Sequence, residues 1–152
     1  EPQTWLLDQG IKNQIGQDLI AIKQPAFNHN AQFDLTVFDV EFDFVLTHSI
    51  FSHAPEPMIR TCLAGAQQVM HKDGMFIAAF LRGNTNYEGN DWIYPGLVTY
   101  SRERMVELGQ EAGFVCTSVG WPRHQGQAWI AFLHPENSRL ATSAMAPSIP
   151  IP

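Results

Sequence analysis

FDFVLTHSIFSH, residues 42–53, is the stretch whose reading decides the fold. Its first half, Phe42-Asp43-Phe44-Val45-Leu46, is a β-branched and aromatic run bounded by polar residues. It is too short for a helix and reads as a buried parallel strand. At Thr47 the run stops, and Thr47, His48, Ser49, Ser52 and His53 follow. Open α/β sheets bind their ligands at the carboxyl ends of strands, so part of a site is expected here.

On the C-terminal side, Pro55 and Pro57 stand where a first helical turn tolerates them. Met58, Ile59, Cys62, Leu63, Ala66, Val69 and Met70 then recur at helical spacing, which predicts an amphipathic helix ended by His71-Lys72-Asp73-Gly74. Residues 75–81 form a new apolar run, completing a strand, helix, strand unit. Residues 82–100 are polar and rich in Gly and Asn, with Tyr87, Trp92, Tyr94 and Tyr100 interspersed. This predicts a long loop with aromatic contacts. Ser101 is placed to cap a helix over 102–112, with Gly113 to end it. Residues 114–121 and 127–133 read as strands joined by a hairpin-like connection. Residues 136–152 are rich in Ser, Ala and Pro and are expected to be a disordered tail after a domain over 1–135.

On the N-terminal side, Trp5, Leu6, Leu7 and Ile11 fall on helical spacing. Leu19, Ile20 and Ile22 suggest a second helical piece that Pro25 closes. A further strand is expected near residues 26–30. The order of elements indicates an α/β layered sheet finished by an antiparallel hairpin.

The chain has 152 residues, 45% of them hydrophobic and 16% charged, enough for one domain with a sizeable core. A net charge of −6 and nine scattered basic residues exclude a surface built to neutralise phosphates, so no nucleic-acid partner is expected. Cys62 and Cys116 form no C-x-x-C pair and read as buried thiols of a reducing compartment. No apolar run is long enough to span a membrane, and no signal peptide is evident; a cytoplasmic protein without a membrane partner is expected. His48, His53 and Cys62 match no zinc spacing, and no metal is expected. There is no G-x-S-x-G elbow and no phosphate-binding P-loop.

Several segments taken in order resemble the class I S-adenosylmethionine-dependent methyltransferases of the small-molecule type. They are FDFVLTHSIFSHAP, VMHKDG before MFIAAF, YSRERMVELGQEAGF, and the final hairpin with GQAWIAFL. The resemblance covers most of residues 1–133. It implies a Rossmann-like sheet with a C-terminal antiparallel hairpin and S-adenosylmethionine as cofactor. The family's first strand, with its glycine-rich loop, has no counterpart, so an N-terminally truncated chain is expected; Glu1-Pro2, with no initiator methionine, also reads as a fragment or a processed chain. By the resemblance, Glu1 matches the acid that bonds the ribose hydroxyls, and Asn30 and Ala31 match the segment facing the adenine. His48 and Ser49 match the strand end that lines the methionine part and faces the substrate. His53 is expected to tie the start of the following helix. The family's strand order places the absent strands between residues 26–30 and 42–47. A gap in mid-sheet is therefore expected, with unpaired edges that leave the chain alone unstable or oligomeric.

The reaction so implied is direct displacement at the methyl of a sulfonium ion. His48 is the preferred general base, ahead of His53 and His124, because it stands at the strand end. Tyr94, Tyr100 and His124 are the expected substrate contacts, Tyr94 and Tyr100 with Trp92 forming an aromatic wall. The fragment alone is expected to be inactive. The alternative from another class is a non-catalytic Rossmann-like binding or assembly domain, suggested by the missing glycine loop and the absence of a well-placed acid at Asn30.

Overall fold

The structure is a computed structural model that describes residues 3–121 and 126–137. In chain order the elements are α1 (Thr4–Gly10), a π-helical turn (Ile11–Ile15), α2 (Gln17–Lys23), a 3-10 turn (Leu35–Phe38), β1 (Phe42–Thr47), α3 (Glu56–Val69), β2 (Met70–Leu81), α4 (Arg102–Glu111), β3 (Val115–Val119) and β4 (Gln127–Leu133).

The strands form one mixed sheet in the order β1-β2-β4-β3. β1 pairs parallel with β2, with α3 as the crossover, and β4 pairs antiparallel with both β2 and β3. This is the α/β sheet with a terminal antiparallel hairpin that the patterning implies, in the Rossmann-like arrangement that the resemblance implies. Phe76, Ala78 and Phe80 of β2 and Ile130 and Phe132 of β4 project to one face. There they meet Ile59, Leu63 and Ala66 of α3 and Met105 and Leu108 of α4 in a single core with Phe51. Full burial of each large side chain contributes roughly 1.5–3 kcal/mol, so this face dominates the stability. Ile77, Ala79, Ala131 and Leu133 form a second buried set on the opposite face.

Several local signals act as expected. The Ser101 hydroxyl accepts from the Arg104 amide at 3.0 Å, capping α4. Gly113 follows α4 with φ +91, a left-handed conformation that glycine adopts without steric cost. α3 and α4 are joined at the surface by Glu56, which accepts from both Arg104 and Arg60; Arg60 in turn pairs with Glu111. The Arg104 guanidinium, with help from Arg60, holds the Glu56 carboxyl below its usual value.

Four expectations are corrected. Residues 26–30 form no strand, because no neighbour offers them a hydrogen-bonding ladder. The four strands are consequently contiguous, and the expected gap in mid-sheet does not occur: β1 is simply the outer strand. Phe44 and Leu46 on that strand are 64% and 63% exposed. Finally, α3 ends at Val69, before the basic pair: Met70 already turns extended and pairs with Phe42, ahead of a register shift in β1. Of residues 136–152, Glu136 and Asn137 are described, and Asn137 is buried and donates to the Gly74 carbonyl at 2.8 Å. The remainder of that segment lies outside the described residues.

Candidate functional site

The carboxyl end of β1 gathers polar groups, as its sequence predicts. Thr47 is opposite Ala78 in β2, which in turn is opposite Ile130 in β4. One residue on, His48 reaches across to Trp129 of β4 and stacks on it, the ring centroids 5.3 Å apart and the planes 9° from parallel. Ala79, the β2 partner of Trp129, keeps the strand between them low enough for this contact. Trp121 meets the same indole edge-on at 5.2 Å.

Ser49 has φ 57, a left-handed conformation that costs a non-glycine residue on the order of 1 kcal/mol. Its hydroxyl accepts from the Gln127 side-chain amide at 2.8 Å, linking the end of β1 to the first residue of β4. Gln127 is 4% exposed and Ser52 1% exposed. Among the described residues, Gln127 Oε1, Ser52 Oγ and Thr47 Oγ1 are buried without a hydrogen-bond partner. Buried polar atoms are normally paired, so three orphans at one strand end mark the place chemically. A cavity of about 80 Å³ lies there, lined by Ser49, Ser52, His53, Leu81, Leu97 and Gln127.

His53 braces the site, though not by tying α3. Its Nδ1 is 2.9 Å from the carbonyl oxygens of both Ile93 and Gly96. Carbonyls only accept, so Nδ1 carries the proton and donates. Backbone bonds from Ile93 N to His53 O and from Val98 N to Ser52 O complete the attachment, at 3.0 and 2.8 Å. The long loop is thus folded onto the end of β1. Trp92 and Tyr94 flank the His53 ring at 5.5 Å each, and Phe33 packs edge-on against Trp92.

The expected site residues divide accordingly. His48, Ser49 and Tyr94 stand around the β1 terminus. Tyr100 does not line a site: it is fully buried in the core, donates to the Ala54 carbonyl at 3.0 Å, and burial pushes its phenol up from the usual value. Of the three residues expected to form an aromatic wall, Trp92 and Tyr94 flank His53 and Tyr100 does not join them. Asn30 turns its carbonyl inward to accept from Gln32 N at 2.6 Å, beside an exposed Ala31. Asp34 caps the following turn, held below its usual value by the Thr36 hydroxyl and amide. Glu1 and His124 lie outside the described residues. Cys62 and Cys116 are free, their thiols pushed up by burial to about 12 and about 11. Gln127 is the residue that sequence reading missed: a polar residue opening the apolar run AWIAFL was legible, but not the Ser49 hydroxyl opposite it.

No family model and no curated protein sequence matches the chain at a significant level. Solved structures do match in fold. The glycopeptide N-methyltransferase MtfA, complexed with S-adenosyl-L-methionine, superposes with a TM-score of 0.65 and 12% identity, covering 89% of this chain and 75% of that one. The S-adenosylmethionine-dependent methyltransferase SibL gives 0.58 and 13%, covering 80% of this chain and 40% of its own. The 1,6-didemethyltoxoflavin-N1-methyltransferase of Burkholderia thailandensis gives 0.52 and 19%, covering 87% and 56%. Two further matched proteins are spanned over only 31% and 30% of their length. The sheet order, the parallel crossover and the reversed terminal hairpin give this chain the Rossmann-like fold of the class I S-adenosylmethionine-dependent methyltransferases.

Proposed function

We propose that the chain is the carboxyl-terminal part of an S-adenosylmethionine-dependent methyltransferase acting on a small molecule. The observation that carries this reading is the group of polar residues at the end of β1, His48, Ser49 and the orphaned Thr47 and Ser52 hydroxyls, at the strand terminus where open α/β sheets bind ligands. These residues suit the methionine part of the cofactor and the reacting centre. The adenosine part is less well provided for, because the Asn30 carbonyl is committed to its own turn and the described residues include no glycine-rich strand-to-helix loop. The exposed outer edge of β1, with Phe44 and Leu46 uncovered, supports a further part of the sheet that would complete the site.

S-adenosylmethionine would supply a methyl group on a sulfonium, a good leaving group that needs no acid. The chain's own task is then alignment, which can supply on the order of 7–11 kcal/mol. In this reading, the indole of Trp129 holds the His48 ring at the strand end, where the ring accepts a proton from the acceptor, a contribution of roughly 10²–10⁴-fold. Trp92 and Tyr94, held by His53, form one wall and restrict water.

Calorimetric titration of S-adenosylmethionine into the protein at its full natural length tests the reading, with saturable heat as the expected result. No heat there would favour the non-catalytic binding domain, which the poorly provided adenosine side also suits. Heat with a nicotinamide cofactor instead would point to another nucleotide-binding enzyme.

A further inference from the structure

The geometry points to the cavity between Ser49, Ser52 and Gln127 as a subsite that takes an O–H or N–H group of the methyl-accepting molecule. Gln127 lines the cavity and uses its amide N–H on the Ser49 hydroxyl, which leaves its Oε1, an atom that can only accept, buried without a partner. A ligand atom meeting it must therefore donate. The hydroxyl of Ser52, a residue that is 1% exposed and also lines the cavity, is likewise unpartnered and offers a second polar group. A volume of about 80 Å³ admits a functional group and not a whole ring, so the rest of the ligand lies in the mouth against Leu97. Ether and tertiary amine groups of the same size can accept from the Ser52 hydroxyl but have no hydrogen to donate, so they leave Gln127 Oε1 unpaired. The pocket thus separates an alcohol, phenol or amine from its fully methylated counterpart. That the donor belongs to the methyl acceptor rests on the methyltransferase reading; the preference for a donor does not.

The test uses phenol and anisole as a matched pair, titrated into the protein at its full natural length with the Gln127 side-chain amide followed by NMR. Phenol is expected to shift that signal saturably, and anisole to bind about tenfold more weakly or worse. Equal response to the two, or no response to either, overturns the proposal. In Gln127→Leu, with calorimetric titration in place of the lost amide signal, the discrimination is expected to vanish, and in Ser52→Ala to persist with weaker binding of both ligands; in each the melting temperature stays level or rises by about 2–4 °C, since each change removes a buried orphan. A fall in melting temperature in both variants would make these groups structural and end the proposal. S-adenosylhomocysteine is the second arm. If it displaces phenol from Gln127, the donor is the cofactor's and the assignment to the acceptor is lost; if both bind together, the assignment stands. If it fails to bind while phenol is still preferred, the subsite stands and the methyl-transfer reading fails.

Discussion

Two pairs of helices in this chain have similar sequences in pattern and opposite fates. α3 and α4 bury Ile59, Cys62, Leu63, Ala66, Met105 and Leu108 against one face of the sheet. α1 and α2 bury nothing: Trp5 is 65% exposed, Leu6 44%, Leu19 46% and Ile22 75%. Apolar spacing shows that a helix has a face to bury. It says nothing about whether a partner surface is within reach, and α3 has one because it connects two paired strands.

The comparison can be broken by substitution. Leu63→Ala should have the largest effect, destabilising by about 2–5 kcal/mol in urea unfolding, because it opens a cavity under the sheet. Gly109→Ala comes next, at about 1–3 kcal/mol, since an added Cβ would stand 2.6 Å from the Phe132 ring. Ser101→Ala removes the α4 cap and should cost about 1 kcal/mol. Glu56→Gln probes the link between α3 and α4, whose contribution is up to about 1 kcal/mol: the Arg104 and Glu56 side chains are 24% and 25% exposed, a part-buried pair still within reach of solvent. Its sign is fixed by the depressed carboxyl: the contribution is present above the ordinary value of 4.5 and is lost as pH falls through the lower folded value. The wild-type minus variant difference in unfolding free energy should therefore shrink in acid titration. Ile22→Ser should change stability least, within about 0.5 kcal/mol; a loss comparable with that of Leu63→Ala would show that α2 has a packed face after all.

Much of the sheet was legible in the residues. Phe42-Asp43-Phe44-Val45-Leu46 reads as a strand, and residues 127–133 read as one with the bounds observed, because short β-branched and aromatic runs between turn signals have few other outcomes. The same logic failed at 26–30, where a brief apolar step found no ladder. Aromatic residues in the long loop were equally alike in sequence. Tyr94 is 76% exposed beside His53, while Tyr100 pairs its backbone with Leu81 and sinks into the core. Only the return of the chain to β2 separates them.

The sequence by itself determined the alternation of strands and helices, the cap at Ser101, the turn at Gly113 and the arrival of polar residues at the end of β1. These depend on local backbone preferences and on periodicity, which act over a few residues. Tertiary structure alone decided that His48 lies on Trp129, that His53 holds the long loop in place of α3, and that Gln127 meets Ser49. Those pairs come from residues 40 to 81 positions apart, and no local preference carries information across such distances. It is set when the antiparallel return of β4 along β2 brings the two strand ends together.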